Sequence, residues 1–184
     1  MFTLDVDKDL KLALVCPQFA PQYLEVVNRD RAYLSQWLSW PELAQDEAFF
    51  LSYIKFSLLN YADGRALVCA VIYQNALVGT VSLNHIDETL KKVEMGYWVS
   101  EEYQGRGIIT RSATTLIDMA FTDLGMLKVQ ISAAIENKAS RKVCERLGLT
   151  LEGIITRAEN INGRVVDHAV YGLSRTAWQR HRLS

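Results

Sequence analysis

Long apolar runs, paired cysteines, clustered histidines and an excess of charge of one sign are all missing from this 184-residue chain. Nowhere do about 18 apolar residues follow one another, so no segment reads as a membrane-spanning helix and no membrane partner is expected. The opening residues carry no basic stretch leading into an apolar one, and the expected location is cytoplasmic. Cys16, Cys69 and Cys144 are odd in number, far apart and set among apolar neighbours, a pattern of free buried thiols and not of a disulfide framework. His85, His168 and His181 show no ligand spacing, so no metal is expected. With 20 basic and 21 acidic side chains the net charge is −1, which argues against direct nucleic-acid binding.

What is present is 49% apolar content, enough for the core of one compact domain over residues 1–184. Alternating leucines predict a first strand over 10–14. Spacings of three and four between Leu, Val, Tyr, Trp and Phe predict helices over 21–37 and 42–59, broken at Ser39, Trp40 and Pro41. Strands follow over 67–73 and 77–85, joined by the short polar turn Gln74, Asn75 and Ala76, and then over 91–99. One apolar stripe from Ile108 to Leu124 predicts a helix stopped at Gly125. A strand over 128–135 and a helix running from Asn137 to Leu147 and ended by Gly148 come next. A hairpin of strands 150–161 and 165–173 meets at Asn162 and Gly163, a strong turn signal. The fold class is α/β (α+β): one mixed sheet of about seven strands flanked by helices.

The strongest chemical signal is the path from the strand ending near Val99 through Gln104, Gly105, Arg106 and Gly107 into the helix that begins at Ile108. Two glycines let backbone approach a ligand closely, and the unpaired N–H groups of a first helical turn then point at it; phosphate oxygens suit such a site. A dinucleotide fold would want a third glycine where Thr110 stands, and three successive strands precede the turn instead of one. A nucleoside-triphosphate loop would want Gly-Lys-Ser/Thr, which is missing.

These residues resemble the GCN5-related N-acetyltransferase family, whose pyrophosphate loop follows a Gln/Arg-x-x-Gly-x-Gly/Ala pattern. Gln104 to Gly107 match it, while Ile109 replaces the family's last small residue. Trp37 to Pro41, Glu94 to Trp98, Asn137 to Ser140, Leu151 to Gly153, Ala158 with Glu159, and Asn162 with Gly163 extend the resemblance over nearly the whole chain. They place it closest to the Rim-type branch of ribosomal-protein-serine N-acetyltransferases.

The resemblance implies a mostly antiparallel sheet splayed between its fourth and fifth strands, with acetyl-CoA as co-substrate in the gap. Main-chain groups of Tyr97, Trp98 and Val99 would pair its pantetheine arm, and an N–H near Val99 would polarise the thioester carbonyl. Amides of Gly105, Arg106, Gly107, Ile108, Ile109 and Thr110, with Gln104 beside them, would receive the pyrophosphate. Arg106 and Arg111 would add charge, unless they are solvated surface. Asn137 suits a helix cap and a contact with the coenzyme arm equally. Ser140 matches the hydroxyl that protonates the departing thiolate, and Glu159 the general base acting directly or through water, with Glu94 as a competing base.

An α-amine, titrating near ~7.7 to 8.0, costs roughly 1 kcal/mol to deprotonate at neutral pH, and a lysine roughly 4 to 5. A carboxylate base thus fits an N-terminal acceptor and direct attack without an acyl-enzyme. Cys144 lies near the Asn137 to Ser140 motif, but no neighbouring histidine activates it. Tyr33, Trp37, Trp40 and Phe49 either shape a peptide entrance or are core. The basic run from Arg175 to Arg182 would steer an acidic partner such as the ribosomal stalk protein, or sit in water.

The implied reaction is acetylation of the N-terminal α-amine of a ribosomal protein, with a homodimer suggested by the resemblance alone. The alternatives are acetylation of a small amine, an aminoglycoside or polyamine, and a coenzyme A-binding sensor without catalysis.

Overall fold

Apolar side chains that alternate on short segments, and stripe one face of longer ones, assemble a sheet with helices on both of its faces. The computed structural model describes residues 2–183, apart from the side chains of His181 and Leu183; the expectation for His181 lies outside the described residues. In chain order the elements are β1 (Thr3–Asp5), β2 (Leu10–Leu14), α1 (Ala20–Leu34), α2 (Glu47–Ala62), β3 (Leu67–Tyr73), β4 (Ala76–Asp87) and β5 (Lys92–Val99). There follow α3 (Ile108–Thr122), β6 (Lys128–Ala134), α4 (Lys138–Arg146), β7 (Thr150–Ile161), β8 (Arg164–Ser174) and α5 (Arg175–Leu183).

The sheet has eight strands in the order β1-β2-β3-β4-β5-β6-β8-β7, one more than the seven expected. The addition is β1, three exposed residues on the outer side of β2, too short and too polar to leave a period-two signal. All pairs are antiparallel except β5 with β6, which the crossover through α3 makes parallel. The β3–β4 turn carries Gln74 at φ 49° and Asn75 at φ 68°, the left-handed pair that a two-residue hairpin needs. Among the described residues no helix is long and apolar enough to cross a membrane.

Strand alternation divides the core in two. Leu83, Val93, Met95, Val129 and Ile131 face α3, whose buried stripe includes Ile108, Leu116, Ile117 and Phe121. Val68 and Ala70 face the other way, onto Tyr23 and Val27 of α1 and Phe50 and Ile54 of α2. Asp46 caps α2 by accepting from the Phe49 amide at 2.9 Å, and Asn137 caps α4 by accepting from the Ser140 amide at 3.1 Å.

The C-terminal helix α5 was not foreseen as a helix. Its Trp178 packs against Phe121 and donates to Asp118 at 2.7 Å, which fixes it beside α3.

Candidate active site

The cleft starts where two strands part. Pairing of β5 with β6 runs from Lys92 opposite Lys128 to Met95 opposite Ile131 and stops there, so among the described residues the second half of β5 has β4 as its only strand neighbour. The Ser100 amide donates to Val78 O at 2.8 Å, which fixes the alternation along this antiparallel pair. Trp98 and Gly96 turn their main-chain groups to β4, whereas Tyr97 and Val99 present theirs to the gap. Of the three residues expected to pair an extended ligand, Trp98 contributes its side chain instead. That indole lies on the α1/α2 face, with centroids 6.1 Å from Tyr23 and 5.9 Å from Trp40.

One end of the gap is the glycine loop. Gly105 and Gly107 hold φ of 71° and 70°, and a Cβ on either would meet nothing within 4 Å. They are needed for the left-handed backbone and not for room. Gly107 is the N-cap of α3, and the Arg111 amide is bonded to Gly107 O at 3.0 Å. The amides of Ile108, Ile109 and Thr110 therefore have no partner within the helix. Gln104, Gly105, Gly107 and these three residues line one continuous cavity of about 1000 Å³ that runs along the gap.

The expected arginines are engaged elsewhere. Arg106 folds back, donating to Glu102 O at 3.0 Å with its guanidinium over the Tyr103 ring. Arg111 is paired with Asp7 at 2.5 Å and Asp9 at 3.0 Å in the β1–β2 connection. Instead, Arg146 at the end of α4 lines the cavity, 3.4 Å from the Thr110 hydroxyl. No motif marked it, and only the packing of α4 beside α3 brings it there.

A buried carboxylate holds this loop. Asp30, 6% exposed on α1, accepts from the Glu101 amide at 3.1 Å and from Arg29 at 3.1 Å, while Arg29 also donates to Ser100 Oγ at 2.8 Å. Burial alone would raise the Asp30 pKa, but bonds from Ser100, Arg29 and Glu101 to the ionised form more than offset it and leave the pKa below its usual 3.8. A depressed carboxyl pKa contributes stability above the ordinary value and loses it as pH falls through the folded one. Asp30→Asn is expected to destabilise the protein at pH 7 by about 1–3 kcal/mol. Thermal melts should show the gap from the parent narrowing below about pH 4. A gap that persists unchanged in acid would deny the charge this role.

Midway along the gap, on the α3/α4 face, the Tyr97 hydroxyl lies 3.1 Å from Ser140 Oγ, 3.1 Å from Ser140 O and 3.6 Å from Cys144 Sγ. Burial, chiefly, raises the Tyr97 pKa, so its phenol stays a neutral donor. Asn137 both caps α4 and lines the cavity. Cys144 is fully buried, and burial pushes its thiol up as well, the opposite of what an acyl-carrying thiolate needs.

On the α1/α2 face stand the acidic candidates. Glu159 accepts from Ser39 Oγ at 3.3 Å and lies 3.3 Å from His168 Nε2. It is aimed there by a bulge: between Ile155 opposite His168 and Glu159 opposite Val166, β7 spends four positions against two on β8. Arg157 within the bulge sits at φ 51°, held by its amide donating to Asp167 Oδ1 at 2.7 Å. Glu94 also lines the cavity, tied to Lys92 at 3.1 Å. Tyr33, Trp37, Trp40 and Phe49 wall the same side, half-buried. The β7–β8 turn closes it, with Asn162 donating to Ser35 O at 3.0 Å and Arg164 stacked over Trp37.

A strand pair parted beside a glycine-capped helix, with a hydroxyl on one face and a carboxylate on the other, is a frame for acyl transfer to an amine. Residues 9–150 match the acetyltransferase (GNAT) domain. The chain belongs to that family.

As a GNAT acetyltransferase it is 32% identical over 97% of its length to YdaF of Bacillus subtilis (strain 168), covering 98% of a protein provisionally named a ribosomal N-acetyltransferase. It is 27% identical to the ribosomal-protein-serine acetyltransferase of Escherichia coli (strain K12), over 92% of this chain and 94% of that one. Among solved structures, the ribosomal alpha-N-protein acetyltransferase RimL in complex with coenzyme A superposes with a TM-score of 0.92 at 27% identity. That match covers 96% of this chain and 99% of RimL. The acetyltransferase's cleft also engages residues that its motifs did not announce: the Tyr97 phenol, Arg146 and His168. Strand alternation pointed Tyr97 to the Ser140 face, whereas the His168 contact depends on the bulge in β7.

Proposed function

We propose that this acetyltransferase moves the acetyl group of acetyl-CoA to the N-terminal α-amine of a ribosomal protein, by direct attack and in the cytoplasm. The observation that carries the reading is the row of free main-chain groups at Tyr97 and Val99, with the α3 amides at its end and the Ser140 hydroxyl beside it. The residues present fit the coenzyme: Gly105, Gly107, Ile108, Ile109 and Thr110 would offer amides to a pyrophosphate, Arg146 would add a cation, and Asn137 would contact the arm. When bound, acetyl-CoA supplies the activated acetyl group.

The chain's own part is then positioning and proton handling. Val99 N–H faces the gap where it would polarise a carbonyl. Glu159, on the acceptor side, drives removal of the amine proton, and Ser140, steadied by Tyr97, returns a proton to the leaving sulfur. Glu94 is the weaker base candidate, since Lys92 already occupies it. The ribosomal acceptor is supported by relatives named for that activity and by the aromatic wall of Trp37, Trp40 and Phe49, which suits an extended peptide. Steering by Arg175 to Arg182 has no support, because α5 lies beside α3, on the face opposite Glu159. A homodimer remains part of the proposal, to be measured by sedimentation.

The test is a panel of ribosomal-protein N-terminal peptides, N-blocked peptides, polyamines and aminoglycosides, followed by thiol release. Free N-terminal peptides should be turned over at least about 10-fold better than the small amines, a difference of roughly 1.4 kcal/mol. N-blocked peptides should be inert. Preference for a polyamine would overturn the acceptor assignment, and coenzyme binding without thiol release on any amine would overturn the catalytic one.

A further inference from the structure

We infer that the proton leaving the acceptor amine lands on the imidazole of His168, with Glu159 as the anion that orients and balances it. The inference rests on the acetyl-transfer reading of this cleft and holds for whichever amine is the acceptor.

The first ground is position. Counting outward from the gap the strands run β6, β8, β7. His168 on β8 is paired in register with Ala134, at the gap-side end of β6, whereas Glu159 is on β7, one strand farther out. Strands lie about 4.8 Å apart, so the carboxylate starts a full strand spacing behind the ring. Exposure agrees, with the His168 side chain at 19% and Glu159 at 37%, nearer the mouth.

The second ground is geometry. His168 Nε2 stands 3.3 Å from Glu159 Oε2, and the other carboxylate oxygen accepts from Ser39. A carboxylate so fixed holds the proton on Nε2 and leaves Nδ1 as the basic nitrogen, the logic of a base oriented by a third group.

The third ground is chemical matching. Free imidazole titrates near ~6.5 and a free carboxylate near ~4.3, against ~7.7 to 8.0 for an α-amine, so an imidazole is the closer match for a proton transfer at neutral pH. On the same face β8 carries Arg164, stacked over Trp37, and the apolar Val166 and Val170, β6 the uncharged Gln130 and Ser132, and β5 Glu94, which is bonded to Lys92.

The step balances. His168 takes one proton from the ammonium form of the acceptor, whose freed lone pair forms the N–C bond. The C–S bond breaks with its electrons on sulfur, which takes a proton from Ser140. The nitrogen's remaining excess proton restores the Ser140 hydroxyl through solvent, and His168 discharges its own to water.

The experiment is the pH dependence of kcat/KM for the full chain, with the best acceptor of the panel, in the parent, His168→Gln and Glu159→Gln. His168→Gln should lose about 10²- to 10⁴-fold and the lower of the two acid-side ionisations, while the ionisation of the amine itself stays. Glu159→Gln should lower kcat/KM while keeping that lower ionisation. The inference is overturned if His168→Gln stays within about threefold of the parent, or if Glu159→Gln abolishes the lower ionisation, which would mark a lone carboxylate base. Should His168→Gln fold poorly, carbethoxylation of the parent with peptide mapping decides: loss of turnover must follow His168 modification, and turnover that survives it sinks the inference. Rejection of peptides by the panel would remove the ribosomal acceptor while leaving this test intact.

Discussion

Glu159→Gln is expected to lower kcat/KM by about 10²- to 10⁴-fold while leaving the affinity for coenzyme A within about twofold of the parent. The substitution keeps the side chain's size, and the carboxamide can still meet Ser39 and His168, so the bulge that carries it should hold. What disappears is a negative charge in a half-enclosed cleft, the charge that favours taking a proton from the acceptor. Because Glu159 lies on the α1/α2 face and the unpaired α3 amides line the other end of the cavity, binding of the coenzyme should not register the change. Calorimetry with coenzyme A and steady-state thiol release separate the two effects. A loss of activity explained wholly by weaker coenzyme binding would remove Glu159 from the chemistry.

Ser140→Ala should cost less, and its cost should depend on pH in a defined direction. A free thiol titrates near ~8.5, so at pH 7 a sulfur leaving without a proton is disfavoured by about 2 kcal/mol, or about 30-fold. Above about pH 9 the thiolate is the stable product and the serine proton no longer helps. The variant should therefore approach the parent as pH rises from 7 to 9. Tyr97→Phe, which keeps the ring and removes the 3.1 Å contact with Ser140 Oγ, should lose only about 0.5–1.5 kcal/mol, the value of one ordinary hydrogen bond. A Ser140→Ala deficit that is flat across that range would mean the hydroxyl serves only to shape the cleft.

The parts of the site that a reader of the sequence could locate are those built by short-range rules. Asn137 and Ser140 sit three apart, so the cap and the projecting hydroxyl come with the helix start itself, and the two glycines announce the left-handed entry into α3. The parts that escaped depend on contacts distant in sequence. Arg111 looked free for a phosphate, but Asp7 and Asp9, about a hundred positions away, hold it once β1 folds onto β2. Glu159 was identified by its motif, yet its partnership with His168 follows from a two-residue slip in the β7–β8 register, which alternation alone does not predict. The α5 helix was hidden because its composition is mostly polar and basic, and Trp178 carries the packing that holds it in place.

The parting of β5 from β6 also bears on how the protein avoids its own kind. A row of unsatisfied backbone groups at the rim of a sheet invites a foreign strand to add on, the first step toward fibres. Here the row at Tyr97 and Val99 is interior, its two walls tied together at Met95 and Ile131. An extended ligand that pairs with this row must enter from the open end, beyond the residues where the walls join. Stickiness that would be a hazard at a margin becomes selectivity in the middle.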